Sequence, residues 1–393
     1  MSDRLIEQFR ARLRAWDFDE VRAMGVEANV ANFRNGLRDI YDDSFPWVKD
    51  KKKRKDEVKP WLDNADFKVL VREKGKLYLN KIKGRLQEGD LERLAAVTKE
   101  VNRVRQRLKR AYFAEKLETA RGDLRANWEV LGEVLHGRKK TKGGNPCKYF
   151  EKDGVGVTDG AKIAEGFCEF YCRVGPDLAA RLGRQQEEAF LEYMGDRATD
   201  EFVWRPTSPM EVEEACRGLD TTKAAGWDGV SPRVVKAAAG ELAGPLARLY
   251  NCCMREGYYP ECFKIARVIP VFKGEDPTQF SNYRPVSVLP TLSQIFERIL
   301  KRRLVQFLDQ QGVIIPGQYG FRAGHSTAMA ILDMVERVRG AWAEGSAALG
   351  VFIDLKKAFD TVDHRILLRK LDHYGIRGNT LRLLGSYLEN RKQ

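Results

Sequence analysis

Histidine and cysteine are scarce, and no long apolar run occurs. The four histidines (His136, His325, His364, His373) form no Cys/His cluster of zinc-finger spacing, which argues against a structural zinc module. The seven cysteines (Cys147, Cys168, Cys172, Cys216, Cys252, Cys253, Cys262) are an odd number without framework spacing. Reduced thiols in a reducing compartment are therefore expected, not a disulfide scaffold. No segment approaches the ~20 apolar residues of a membrane helix, and the start, MSDRLIEQFRARLRAW, lacks the apolar centre of a signal peptide. The expectation is a soluble intracellular protein without a membrane partner. The glycine-containing pieces KAAGWDG and LHGRKKTKGGNP lack the G-x-x-x-x-G-K-[ST] spacing of a phosphate-binding loop, which argues against a P-loop ATPase.

What is present is enough apolar material for cores and an excess of positive charge. The 393 residues are 43% hydrophobic, and 69 Lys+Arg against 56 Asp+Glu give a net charge of +13. Two to three domains of ~150 residues are expected, and an anionic partner suits the charge. Leu94, Val97, Val101, Val104, Leu108 and Ala111 alternate spacings of three and four, which predicts one apolar seam along a helix. Arg103, Arg105, Arg107, Lys109 and Arg110 fall mostly off that seam. They form either a surface for a nucleic-acid backbone or the solvated side of a helical hairpin, and the heptad-like seam could instead mediate self-association.

A compact basic run, VKDKKKRKDEVKP (48–60), could be an import signal, an RNA-contacting patch or a solvated loop. The turn HGRKKTKGGNPC (136–147) is the expected domain boundary. Helix is expected near DGAKIAEGFCEFYCRV, and Ser208, three residues before Glu211, is a candidate N-cap. From about residue 206 short β-like runs appear (266–272 and 349–355), separated by helical stretches such as LPTLSQIFERILKRRLVQFLDQ, which predicts helices packed on a sheet. Gly350 to Ile353 has the pattern of a strand buried on both faces, ending in Asp354. A carboxylate there needs a cation, from Lys, Arg or a divalent metal; otherwise it caps the helix that follows.

GVFIDLKKAFDTVDH resembles the first palm motif of reverse transcriptases of non-LTR, LINE-type retrotransposons. The neighbouring blocks resemble the same family in order: TTKAAGWDGVSPRVVK (221–236), the fingers motifs in 263–300, GQYGFRAGHSTAMAILDM (317–334), and the helical stretch 363–393. The resemblance covers about 206–393. It implies an α+β chain: a basic helical region (1–147), a helical connector (148–205), and an incomplete right-hand polymerase (206–393) comprising the fingers and the first part of a ferredoxin-like palm.

The same resemblance implies site roles. Asp354 is the catalytic, metal-binding aspartate, and Leu355 offers its carbonyl to a metal. Phe359 lies beneath the incoming sugar, and Lys273 and Arg284 grip the triphosphate. Gln318, Gly320, Phe321 and Arg322 either contact template or pack the loop. Asp360 and Asp363 match family positions but suit the start of a helix. The implied cofactor is Mg²⁺. The implied partners are an RNA template, a DNA primer and dNTPs, with the basic N-terminal half on nucleic acid, in the nucleus or a cytoplasmic ribonucleoprotein. No PQGS-like block or Y-x-D-D follows Asp354, so this chain alone is expected not to polymerise. Tyr41, Asp42 and Asp43 have the wrong spacing and place to substitute. The alternative is a non-catalytic basic nucleic-acid-binding protein, a retroelement relic.

Overall fold

The computed structural model describes residues 3–18, 25–46, 60–136, 149–152, 154–182, 189–355 and 357–393. The helices along the chain begin with α1 (Asp3–Ala15), α2 (Val26–Ser44), α3 (Ala65–Ile82), α4 (Asp90–Thr119), α5 (Leu124–His136) and α6 (Gly160–Leu182). They continue with α7 (Pro209–Arg217), α8 (Pro232–Ala237), α9 (Ala239–Glu256), α10 (Thr291–Gln310), α11 (Thr327–Ala343), α12 (His364–His373) and α13 (Gly378–Leu388). The strands are β1 (Phe150–Lys152), β2 (Val155–Val157), β3 (Arg267–Phe272) and β4 (Tyr283–Val288).

Two compact units result: Met1–Trp47 with Asn145–Gln393, and Val48–Gly144. Almost all of the basic runs at 48–60 and 136–147 lies outside the described residues. The expected helical region 1–147 is thus divided. Phe9, Leu13, Val30, Phe33 and Leu37 share a core with residues beyond 206, which removes α1 and α2 from the basic helical region.

In the smaller unit, α3 and α4 pair through Phe67, Val101 and Val104, with Leu70, Val97 and Leu108 packed alongside. Asn64 caps α3 by accepting the backbone N–H of Phe67 at 2.9 Å. The seam holds as far as Leu108, but Ala111 is exposed. Phe113 takes over the burial there, against Trp61 at 5.4 Å. Ion pairs tie α4 to its neighbours: Arg93 to Glu73 on α3 at 2.7 Å, and Lys116 to Glu133 on α5 at 2.9 Å. Arg103, Arg105, Arg107, Lys109 and Arg110 remain exposed.

The core of the larger unit gathers α1, α2, α7, α8, α9, α10 and α13. Its centre is a stack in which Tyr250 and Tyr259 lie nearly parallel to Phe296, with centroids at 4.6 and 5.4 Å. Buried hydroxyls need partners: Tyr250 donates to the Leu292 carbonyl at 2.8 Å, and Ser293 donates to the Phe263 carbonyl at 3.1 Å. Ser208 caps α7 as expected, accepting from the Glu211 N–H at 3.2 Å.

Helices dominate and the strands are few, which is compatible with the expected α+β class, but no larger sheet forms among the described residues. Among the described residues there are only two antiparallel two-stranded sheets, β1–β2 and β3–β4. The expected strand at 349–355 is irregular and exposed, with Leu349 at 92% and Phe352 at 84%. A strand exists only where a neighbour accepts its ladder of hydrogen bonds, and among the described residues nothing pairs with this one.

Within β3–β4 the backbone bond from Lys273 N–H to the Asn282 carbonyl (2.9 Å) sets the alternation of bonded and non-bonded pairs. Pro270 faces Pro285 at a non-bonded pair, so neither proline removes a bond from the ladder. One short parallel bridge, Ile265 with Lys392, continues the sheet at its base.

Glu211 is the electrostatic tie between α7 and α10. It accepts from Arg303 at 2.5 Å and Arg302 at 2.6 Å, with both the Glu211 and Arg303 side chains mostly buried. Burial pushes its carboxyl up, but the two guanidiniums outweigh this and hold it below the ordinary value of 4.5. A depressed folded value means that this stability is present above pH 4.5 and is lost as pH falls through the folded value. Glu211→Gln is expected to cost about 1–3 kcal/mol at pH 7 and to flatten the acid limb of stability. Urea unfolding at pH 7 and across the acidic range measures both effects.

Candidate active site

Strand alternation decides what the β3–β4 hairpin presents. Val268 and Phe272 of β3 face Ser287 and Tyr283 of β4. Phe272 and Tyr283 pack with Phe150, Phe167 and Phe280, an aromatic cluster built on α6 and β1. Burying that face leaves the opposite one in solvent: Arg267, Ile269, Val271 and Lys273 on one side, Arg284 and Val286 on the other. Arg284 lies directly across from Val271, and Lys273 pairs with Asn282. Lys273 and Arg284 are therefore diagonal neighbours on one surface, a relation of ~7–8 Å between Cα atoms in antiparallel sheets. Two exposed cations on one face of a ribbon suit a polyanionic group such as a triphosphate.

The same alternation adds a residue that the motif comparison passed over. Arg267 projects from this face too, and is exposed. The two-residue steps from 267 through 269 and 271 to 273 were visible in the sequence.

Helix α6 supports a second piece of the site. Lys357 sits over the Phe170 ring at 5.1 Å, and the Asp360 carbonyl lies so close to Gly175 that a Cβ built there would be 3.0 Å away. The hairpin and the turn around 357–360 thus share one platform. That turn carries Phe359, whose ring meets Phe321 edge-on at 5.8 Å. Both rings are exposed, at 79% and 83%. Phe321 has φ 61°, and Lys357 has φ 53°. Left-handed backbone is uncommon for a bulky side chain and gathers at functional sites; here one such residue, Phe321, carries one ring of the pair, and the other, Lys357, lies two residues before Phe359.

The remainder of the 318–322 block is tied into its own loop. Gln318 donates to the Gly320 carbonyl at 3.2 Å, and Arg322 reaches Asp309 at the end of α10 at 2.7 Å. Asp363 caps α12, accepting from the backbone N–H of Arg365 at 2.8 Å and of Ile366 at 3.3 Å. The Arg365 guanidinium, aided by these N–H groups, holds its carboxyl below the ordinary 3.8. Asp360 joins a turn through its N–H to the Lys357 carbonyl.

Asp354 is exposed, and among the described residues its carboxylate has no hydrogen bond or ion pair. Leu355 beside it is 70% exposed. No group of three or more His, Cys, Asp or Glu side chains among the described residues is arranged to hold a metal. The donors present fit the way Mg²⁺ binds through one carboxylate with substrate phosphate oxygens; they do not make a cage of their own. Tyr41, Asp42 and Asp43 lie on α2, where Asp42 pairs with Arg38 and Asp43 with Arg12.

Residues 273–393 match the reverse transcriptase (RNA-dependent DNA polymerase) family. The chain is 32% identical over 215 residues to the "Probable RNA-directed DNA polymerase from transposon BS" of Drosophila melanogaster, covering 52% of this chain and 23% of that protein. It is 34% identical over 161 residues to the RNA-directed DNA polymerase from mobile element jockey of Drosophila melanogaster, covering 41% of this chain and 18% of that protein. The chain thus spans under a quarter of the length of these relatives.

The capping geometry assigns Asp363 to the stability of α12. Asp363→Ala is expected to cost about 1 kcal/mol, while Asp363→Asn costs only a fraction of that. Thermal unfolding of the two variants checks the ranking.

Proposed function

We propose, from the match of residues 273–393 to the reverse transcriptase family, that this chain supplies the fingers and the opening of the palm of an RNA-directed DNA polymerase of the LINE type. The placement of Lys273 and Arg284 as diagonal neighbours on one face of the β3–β4 hairpin carries this reading. In it, the two side chains hold the triphosphate of a dNTP, with Arg284 offering a planar fork and Lys273 a point charge. Phe359 fills the space a ribose 2′-hydroxyl would need, braced by Phe321. Asp354 and the carbonyl of Leu355 would hold Mg²⁺. When bound, that ion neutralises phosphate charge and favours in-line attack by the primer 3′-oxygen. The template is RNA and the primer DNA. The bare apolar run at 349–355 is the first palm strand in this reading.

A two-metal reaction needs more than one carboxylate, and Asp354 is the single one this reading places. The 393-residue chain is therefore expected to extend an RNA-annealed DNA primer no faster than its Asp354→Ala variant. Extension above that level would refute the expectation that the chain alone is inactive, while upholding the role of Asp354.

Nucleotide binding is the more direct check. Titration of the chain with dATP and Mg²⁺ is expected to show binding that weakens at least about ten-fold in Lys273→Ala and in Arg284→Ala, a loss of about 1.4 kcal/mol each. Tyr substitution at Phe359 leaves dATP binding intact, whereas Phe359→Ala lets ATP compete. Binding that is indifferent to all three positions would favour the non-catalytic nucleic-acid-binding alternative.

A further inference from the structure

Helix α4 carries a row of cations that the packing of its own unit does not use. Lys99, Arg103, Arg107 and Arg110 succeed one another at spacings of four, four and three, which places them along one face, away from Val97, Val101 and Val104. All four are exposed. Arg103 has a local partner in Glu100 at 3.0 Å. Among the described residues, Arg105, Arg107 and Arg110 have no ion pair or hydrogen bond. On the same helix Arg93 does meet an acid, Glu73 of α3, so the unpaired cations are confined to the face away from α3.

Like charges three and four residues apart destabilise a helix, so this helix tolerates a cost that an external polyanion would remove. Arg103, Gln106, Arg107 and Arg110 surround the small side chains of Ala111 and Ala114 on the open surface of this one helix. A compact anion would engage one or two of these side chains. The row, at about 1.5 Å of rise per residue, runs on for some 16 Å and suits a chain of phosphates.

We infer that the Lys99–Arg103–Arg107–Arg110 face of α4 is a docking track for the phosphodiester backbone of a nucleic acid strand. This rests on the polymerase reading above and names a binding surface outside its active site. Contacts are to phosphates, so affinity depends on charge and salt and not on base sequence.

The test uses the full 393-residue chain and fluorescence anisotropy with labelled single-stranded RNA, an RNA hairpin and duplex DNA, across a KCl series. The R103Q/R107Q/R110Q variant keeps side chains of similar helix propensity. It is expected to lower the magnitude of the slope of log K against log salt by about two to three, since each phosphate contact contributes ~0.7–0.9. R103K/R107K/R110K is expected to retain the slope, which separates charge from altered structure. The probe with the largest loss identifies the form of nucleic acid that lies on the face. An unchanged slope in the glutamine variant overturns the inference, as does binding to none of the probes. Competition by polyglutamate equal to that by unlabelled RNA of the same charge also overturns it, in favour of an acidic protein. Both triple variants are expected to keep Mg²⁺-dependent dATP binding. If the unsubstituted chain lacks that binding while the slope changes as stated, the active-site reading fails and the docking face stands.

Discussion

Everything at the candidate site depends on how the base of the β3–β4 hairpin is clamped. Phe263 enters the hairpin and Thr291 leaves it, and both lie in the core. Ser293 donates to the Phe263 carbonyl, Thr291 to the Val230 carbonyl, and Tyr250 to the Leu292 carbonyl, all buried. Each of these bonds replaces water that the interior excludes, and an unpaired group there would be costly. With Tyr250, Phe296 and Tyr259 stacked beside them, they fix where the two strands emerge. The positions of Lys273 and Arg284 follow from that anchor and from strand alternation, with no further adjustment.

Motif 221–236 has a matching structural task. Trp227 donates to the Cys262 carbonyl at 3.2 Å, Arg34 of α2 lies over its ring at 5.1 Å, and Arg38 donates to the Asp228 carbonyl. Burial pushes the Asp228 carboxyl up, partly offset by a hydrogen bond from Val230 and the nearby Arg38. The motif thereby joins the first helices of the chain to the segment that precedes the hairpin. It shapes the scaffold on which chemistry is arranged.

Local signals in the sequence were legible because their physics is local. The apolar seam of α4, the Ser208 cap, the helix at 160–182, the strand at 267–272 and the cap at Asp363 all follow from spacing or from a single side chain near a helix end. What was not legible depended on distant partners. The run 349–355 has the composition of a buried strand, but composition does not supply the neighbour that would pair with it. The grouping of α1 and α2 with the later helices was equally hidden, since Phe9 and Leu13 reveal that they are core residues but not whose core. At the site, the family comparison named Lys273 and Arg284 separately, and only the pairing register shows that they share a face. Arg267 was within reach of the same alternation but belongs to no motif. Phe321 and Phe359 lie far apart in sequence, and their contact becomes visible only in three dimensions.

The facing prolines, Pro270 and Pro285, have an effect that reaches past the ladder they leave intact. At a non-bonded pair their nitrogens point outward, one along each flank of the ribbon, where any other residue would offer an N–H to a visiting strand. Both flanks are thus silenced at mid-length. Ile269, Val271 and Val286 can remain bare apolar residues on a ribbon that does not template aggregation through its edges. At the root Ile265 already has a parallel neighbour in Lys392, and the cationic surface toward the tip is exposed.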